Sequence, residues 1–200
     1  MSEKKQEKEP WNWREKVLDF LKSDSRLLDL TPAGGQFLLS LSHPDRLCAA
    51  ERSAGKIPFP ESSFDLVLND GGEYDLSEVW RVLKSGGFFL TQQAGGEHFF
   101  DFRRRFCPEE KVAKLDYNLE NQLPKFREAG FRIMYRNQAY PVHRFYEAEQ
   151  AWEYLMGHSE HFPGLFGKAE AVREQVKKEI ATQGFLELEE HLFIVIAKKR

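Results

Sequence analysis

Two hundred residues suit one domain with at most a small appendage. With 41% hydrophobic and 30% charged residues, the composition is that of a soluble globular chain, and seventeen Phe and four Trp supply ample core material. The net charge of −3 excludes a global basic field that would recruit nucleic acid or an anionic membrane.

No 18-residue apolar run is present, so no membrane-spanning helix is expected. The opening MSEKKQEKEP is charged and has no apolar h-region of a signal peptide, which points to a cytoplasmic protein with a disordered stretch over 1–10. The two cysteines, Cys48 and Cys107, have no metal-ligand spacing and fit a reducing compartment. Arg103-Arg104-Arg105 is the one internal basic run and reads as a solvated helix face.

Trp13, Val17, Phe20 and Leu21 fall on one face of a first helix. Arg26 to Leu30 reads as a strand, Gln36 to Leu41 as a helix ended by His43-Pro44, and Arg46 to Ala50 as a second strand closing on Glu51. Ser63 to Leu68 is a third strand, bounded by the turn signal Asn69-Asp70-Gly71-Gly72. Leu76, Val79, Trp80 and Leu83 give a helix face, with Asp75 and Glu78 placed for a capping box. Ser85-Gly86-Gly87 stops that helix before a strand over Phe88 to Thr91. Residues 96–130 read as mostly helical, and Phe131 to Tyr140 as a strand. Two helices follow, around Ala148, Ala151, Trp152 and Leu155 and around Val172, Val176 and Ile180, with HFPGLF (161–166) as the loop between them. His191 to Ala197 is the final strand. The alternation of strand and helix predicts a parallel sheet covered by helices, with 11–200 forming a single domain.

In such sheets ligands bind at the carboxyl ends of the strands. Asp29-Leu30-Thr31-Pro32-Ala33-Gly34-Gly35 is the turn after strand one, and Glu51 ends strand two, where an acid can accept from both hydroxyls of a ribose. The most specific stretch lies downstream. Ile57-Pro58-Phe59 with Phe64-Asp65-Leu66-Val67, then Arg81-Val82-Leu83-Lys84-Ser85-Gly86-Gly87, resembles the class I S-adenosylmethionine-dependent methyltransferases. Thr91-Gln92-Gln93-Ala94-Gly95-Gly96, the Phe162–Phe166 loop and the closing HLFIVIAKKR are similar to a bacterial subgroup with a T-Q-Q-V-G-G strand end.

The resemblance covers about residues 11–200. It implies an α/β, Rossmann-like sheet, mostly parallel with an antiparallel C-terminal edge, and S-adenosyl-L-methionine as cofactor. Asp29, Gly34, Gly35 and Asn69 match its cofactor positions, and Thr31, in the same turn, and Glu51, at the end of strand two, are expected beside them. Asp70, Glu73, Gln92 and Gln93, at strand ends, are read as acceptor contacts or as solvated turn and cap residues, and Tyr140 as lining an acceptor pocket or packing. No catalytic residue is singled out and no metal is expected. His158 and His161 could share a metal but have no third ligand in the sequence nearby. Tyr140, His143 and Tyr146 sit in YPVHRFY, read as an aromatic-rich loop that either lines an acceptor pocket or packs.

Three departures from the family stand out. Thr31 and Ala33 occupy positions where glycine is usual, and Pro32 lacks a backbone donor. A Cβ at a position needing φ > 0 costs on the order of 1 kcal/mol, so cofactor affinity is expected to suffer. From Glu51 to Phe59 there are eight steps (59 − 51), where the family has a helix, a third strand and an acid for the adenine amino group. Residues 52–62 reach roughly 35 Å extended at ~3.3 Å each, against the ~20–25 Å needed to cross two strand spacings. The fold should therefore close with one strand and one helix fewer, leaving strand two as an edge that could pair two copies in a homodimer. Finally, Asn69-Asp70-Gly71-Gly72-Glu73 replaces the subgroup's N-R-H-E. Three readings follow: a methyltransferase whose acceptor is open among small molecule, RNA base and protein side chain, with a small molecule favoured; a non-catalytic relative with weak or lost cofactor binding, serving as a binding or scaffold domain; and a nicotinamide-dependent oxidoreductase, which leaves the Phe64–Gly87 pattern without a role.

Overall fold

The computed structural model describes residues 10–31, 35–41, 47–49, 55–108 and 114–200. The N-terminal stretch, Pro32, Ala33, Gly34, His43-Pro44 and Glu51 lie outside these residues. The described chain forms two compact units. The sheet unit comprises 11–95, 116–138 and 192–200, and the second unit comprises 96–115 and 139–191.

In the sheet unit the strands are β1 (Leu27–Asp29), β2 (Leu47–Ala49), β3 (Phe64–Asp70), β4 (Leu83–Ala94), β5 (Phe131–Ala139) and β8 (Leu192–Lys199). Their order is β2-β1-β3-β4-β8-β5. β1 pairs in parallel with β2 and with β3, β3 pairs in parallel with β4, and β8 runs antiparallel to β4. Six strands rather than seven form the described sheet, and β2 ends it. Between Gly55 and Ser63 no strand or helix intervenes before β3, as the short interval predicts.

The helices of this unit are α1 (Trp13–Leu18), α2 (Gly35–Ser40), α3 (Leu76–Val82) and α5 (Leu119–Glu128). Alternate strand residues face two separate cores. Leu28, Leu30, Val67, Phe89, Val195 and Ala197 pack with Val79, Leu123 and Phe126. Leu27, Leu66, Leu68, Leu90 and Ile196 pack with Val17, Leu38 and Leu41.

The segment that carries the family pattern is a structural staple. The Arg81 guanidinium donates to Ile57 O and Phe59 O, both at 2.8 Å, and to the Glu78 carboxylate. Glu78 in turn accepts from Ile57 N–H at 2.8 Å. The capping box is thus half realised. Asp75 Oδ1 accepts from Ser77 N–H at 2.7 Å, while Glu78 turns to Ile57 and Arg81 instead of back to Asp75. Lys84 Nζ holds both oxygens of Asp65, at 2.9 and 2.8 Å. At Gly87 a Cβ would lie 2.9 Å from Asp65 O and 3.0 Å from Lys84 O, so only glycine fits. Lys199, 6% exposed, donates to Trp80 O and Leu83 O and closes the end of α3.

The second unit holds α4 (Phe100–Phe106), β6 (Val142–Phe145), α6 (Ala148–Gly157), α7 (Ala169–Gln183) and β7 (Leu186–Glu189). Phe99, Phe102, Leu155, Phe162, Leu165, Val176 and Leu186 form its core. β6 and β7 make a two-stranded antiparallel sheet. This corrects the reading of YPVHRFY as a loop. The four residues of β6 are paired with a strand more than forty residues later, Val142 opposite Glu189, which no local pattern reveals.

Candidate functional site

The strand register divides the predicted residues. Asp29 stands opposite Leu68, Asn69 opposite Thr91, and Asp70 opposite Gln92. Since side chains alternate, Asp29, Asp70 and Gln92 lie on the Leu27–Leu68–Leu90 side, and Asn69, Thr91 and Gln93 on the Val67–Phe89 side.

On the first side Asp29 is 1% exposed. Its Oδ1 accepts from Thr31 N–H at 2.9 Å and from the Thr31 hydroxyl. The same hydroxyl accepts from Asp70 N–H at 2.9 Å. Thr31 therefore ties the end of β1 to the end of β3. Its backbone is not left-handed, since Ser62, Phe99 and Lys114 are the non-glycine residues with positive φ among those described. The expected strain at Thr31 is absent, and its side chain does what glycine could not.

Burial pushes the Asp29 carboxyl up, the two bonds from Thr31 oppose that shift, and the Asp70 charge adds to it. Asp29 Oδ2 is buried without a hydrogen-bond partner among the described residues. A carboxylate oxygen so placed fits a cationic or N–H group of a ligand. Gln92 extends this side: its amide donates to Asp70 Oδ1 and accepts from Trp11 Nε1, both at 2.7 Å.

On the other side Asn69 is fully buried. Its Oδ1 accepts from Thr91 Oγ1 at 3.1 Å and from Gln93 Nε2, and Gln93 also donates to Thr91 Oγ1 at 2.8 Å. Two donors on Oδ1 fix the orientation of the amide and leave Nδ2 as a donor without a partner among the described residues. Tyr74 and Tyr117 flank this group. Burial raises both phenols, Tyr74 well above the ordinary value, so both are neutral donors. Glu73 is exposed, and its charge contributes to the Tyr117 shift. Thr91, Tyr74, Tyr117 and Trp11 were missed in the sequence. Thr91-x-Gln93 is the one pattern that could have shown a pair on one strand face.

Gly35 opens α2; Gly34 and Glu51 fall outside the described residues. Tyr140 lies in the second unit, where its hydroxyl donates to Glu97 Oε2 at 3.1 Å and its ring stacks on His191 at 4.6 Å. His143 Nε2 is 3.4 Å from Glu190 Oε1, and Tyr146 is exposed beside Phe185. His158 and His161 come together around Phe99, at ring distances of 5.6 and 6.2 Å. Among the described residues no group of three or more His, Cys, Asp or Glu could hold a metal ion, and no helix is long and apolar enough to cross a membrane.

Comparison with known proteins gives the strand-end group a setting. No family model matches the chain. Phthiotriol/phenolphthiotriol dimycocerosates methyltransferase 2 of Mycobacterium ulcerans (strain Agy99), itself a provisional assignment, is 39% identical over 69 residues, 31% of this chain and 27% of that protein. The matched part thus spans about a quarter of that relative's length. A protein of Bacillus halodurans C-125 provisionally designated a methyltransferase superposes with a TM-score of 0.58 at 15% identity, over 93% of this chain and 98% of its own. Geranyl diphosphate C-methyltransferase from Streptomyces coelicolor A3(2), solved with S-adenosyl-L-homocysteine, Mg2+ and geranyl diphosphate, gives 0.51 at 14% identity, over 94% and 78%. The chain has the Rossmann-like fold of the class I methyltransferases, as the pattern in its sequence implies.

Proposed function

We propose that the chain is an S-adenosylmethionine-dependent methyltransferase of a small-molecule acceptor, working in the cytoplasm. Fold alone does not give function. The observation that carries the reading is the buried Asp29 carboxylate at the end of β1, with one oxygen fixed by Thr31 and the other unpartnered among the described residues. Asp29 and Thr31 would hold the amino-acid end of the cofactor, with Gly34 and Gly35 supplying backbone and Glu51 the ribose contact. Bound there, the cofactor supplies an electrophilic methyl group on a sulfonium.

The protein's own part is alignment and exclusion of water. Asn69, fixed by Thr91 and Gln93, offers an amide donor from the far side of the strand ends. Asp70 and Glu73, both exposed carboxylates, would take a proton if the acceptor must lose one. The net charge of −3 favours a small acceptor over a large nucleic acid.

Calorimetric titration with S-adenosylmethionine and S-adenosylhomocysteine tests this. Dissociation constants of about micromolar order are expected, and Asp29→Asn should weaken both at least about tenfold, ~1.4 kcal/mol. Absence of heat at millimolar ligand refutes the reading.

A further inference from the structure

In the second unit, residues 97–99 and 189–191 are held together by an unusual exchange. Phe99 N–H donates to Glu189 O at 2.9 Å. His191 N–H donates to His98 Nδ1 at 3.2 Å, and Glu97 N–H donates to His191 Nδ1, also at 3.2 Å. Each segment thus gives a backbone N–H to an imidazole of the other. His98 is 3% exposed and His191 is fully buried. Phe99, between the two imidazole bonds, has φ = 53°, a left-handed backbone that a phenylalanine adopts only under constraint.

An Nδ1 that accepts is unprotonated, and neutral His98 therefore carries its hydrogen on Nε2. A second proton would set N–H against N–H, with water excluded from replacing the lost acceptor. We propose that this reciprocal pair is an acid-released latch, closed while both imidazoles are neutral and opened by protonation of His98.

The groups around the two rings differ. His98 faces the rings of Phe99 at 4.0 Å and His161 at 4.5 Å, with His158 and Glu190 adding charge effects. Glu190 is engaged by the Tyr154 hydroxyl and lies 3.4 Å from His143 Nε2. His161 in turn has Glu160 at 3.6 Å and feels Arg103. His191 faces the Glu97 carboxylate at 3.8 Å, which also accepts from Tyr140. A protonated His191 therefore has a carboxylate to turn to, whereas His98 has mostly other imidazoles, and His98 is the sensor. Burial, then the neighbouring His161, pushes the His98 imidazole down to about 3, and burial lowers His191 and His161 as well.

A histidine depressed in the folded state contributes its full stability above its unfolded value of 6.5 and loses it as pH falls towards the folded value. Between pH 7 and pH 5 the latch should open about 25-fold more often.

Hydrogen exchange by mass spectrometry, corrected for intrinsic rates, reads this on the full chain. Peptides covering 97–99 and 189–191 should lose about 25-fold in protection from pH 7 to pH 5, with β1 and β3 unchanged. His98→Asn keeps an acceptor oxygen near the Nδ1 position but cannot titrate, and it should lose clearly less protection over that range, the remainder coming from His191. A His98→Asn protein with the wild-type pH dependence overturns the proposal. Should that variant fail to fold by circular dichroism, nitrogen NMR on the wild type decides. At pH 7 an unprotonated Nδ1 on His98 is expected, and a protonated one overturns the latch.

Discussion

Thr31 is where losing a single hydroxyl should do harm. Thr31→Val keeps the shape and removes the hydroxyl. Asp29 then loses a charge-assisted hydrogen bond, worth about 1.5–3 kcal/mol, and Asp70 N–H loses its acceptor at an exposed position, about 0.5–1 kcal/mol. The expected cost at pH 7.5 is about 2–4 kcal/mol. The pH dependence gives the mechanism away. The Asp29 carboxyl is already raised by burial, so the folded state binds its proton more tightly than the unfolded chain. Stability therefore falls as pH rises from the unfolded value of 3.8 through the folded one, and removing the hydroxyl, which opposes the shift, must steepen that fall. Urea unfolding of wild type, Thr31→Val and Thr31→Ser at pH 7.5 and 4.5 measures both effects. The deficit of Thr31→Val should shrink at pH 4.5, and Thr31→Ser should stay within about 1 kcal/mol of wild type. A Thr31→Val protein as stable as wild type, or with a deficit independent of pH, would refute the bridging role.

Two further substitutions probe the staple. Lys199→Met strips the Trp80 and Leu83 carbonyls of a buried cationic donor 3.8 Å from the Trp80 ring centroid. It should cost about 3 kcal/mol, roughly 6–12 °C in Tm for a chain of this size by calorimetry; a shift under about 2 °C would show that water replaces the ammonium. Gly87→Ala drives a methyl against Asp65 O at 2.9 Å and should cost at least about 2 kcal/mol by thermal unfolding, with an unchanged Tm counting against the close approach of β3 and β4.

The fold was legible because its most specific pattern is built from contacts. Arg81, Lys84, Gly87 and Asp65 bind chain to chain, and none of them touches the strand ends where a ligand would sit. The same fact limits what that pattern says about activity, since it reports the scaffold. Asp29 and Asn69 were marked as one cofactor group, but strand alternation, which could have been counted, sends them to opposite faces. Thr31 was read as a worn glycine because its hydroxyl's partner, Asp70 N–H, lies thirty-nine residues away. Tyr140 and the His98–His191 exchange were illegible for the same reason, the latter spanning ninety-three residues.

The position of β8 sets the order in which this protein can form. It sits between β4 and β5, yet follows every other described strand in the chain. As the chain emerges from the ribosome, β4 and β5 are complete while the place between them is empty, each with an open edge. Only when β8 arrives do the Phe88–Ala94 pairings form and Lys199 reach carbonyls 119 and 116 residues upstream. Closure of the sheet is then a late event over a long loop, which makes folding slow and exposes apolar strand edges to chaperones or to one another meanwhile.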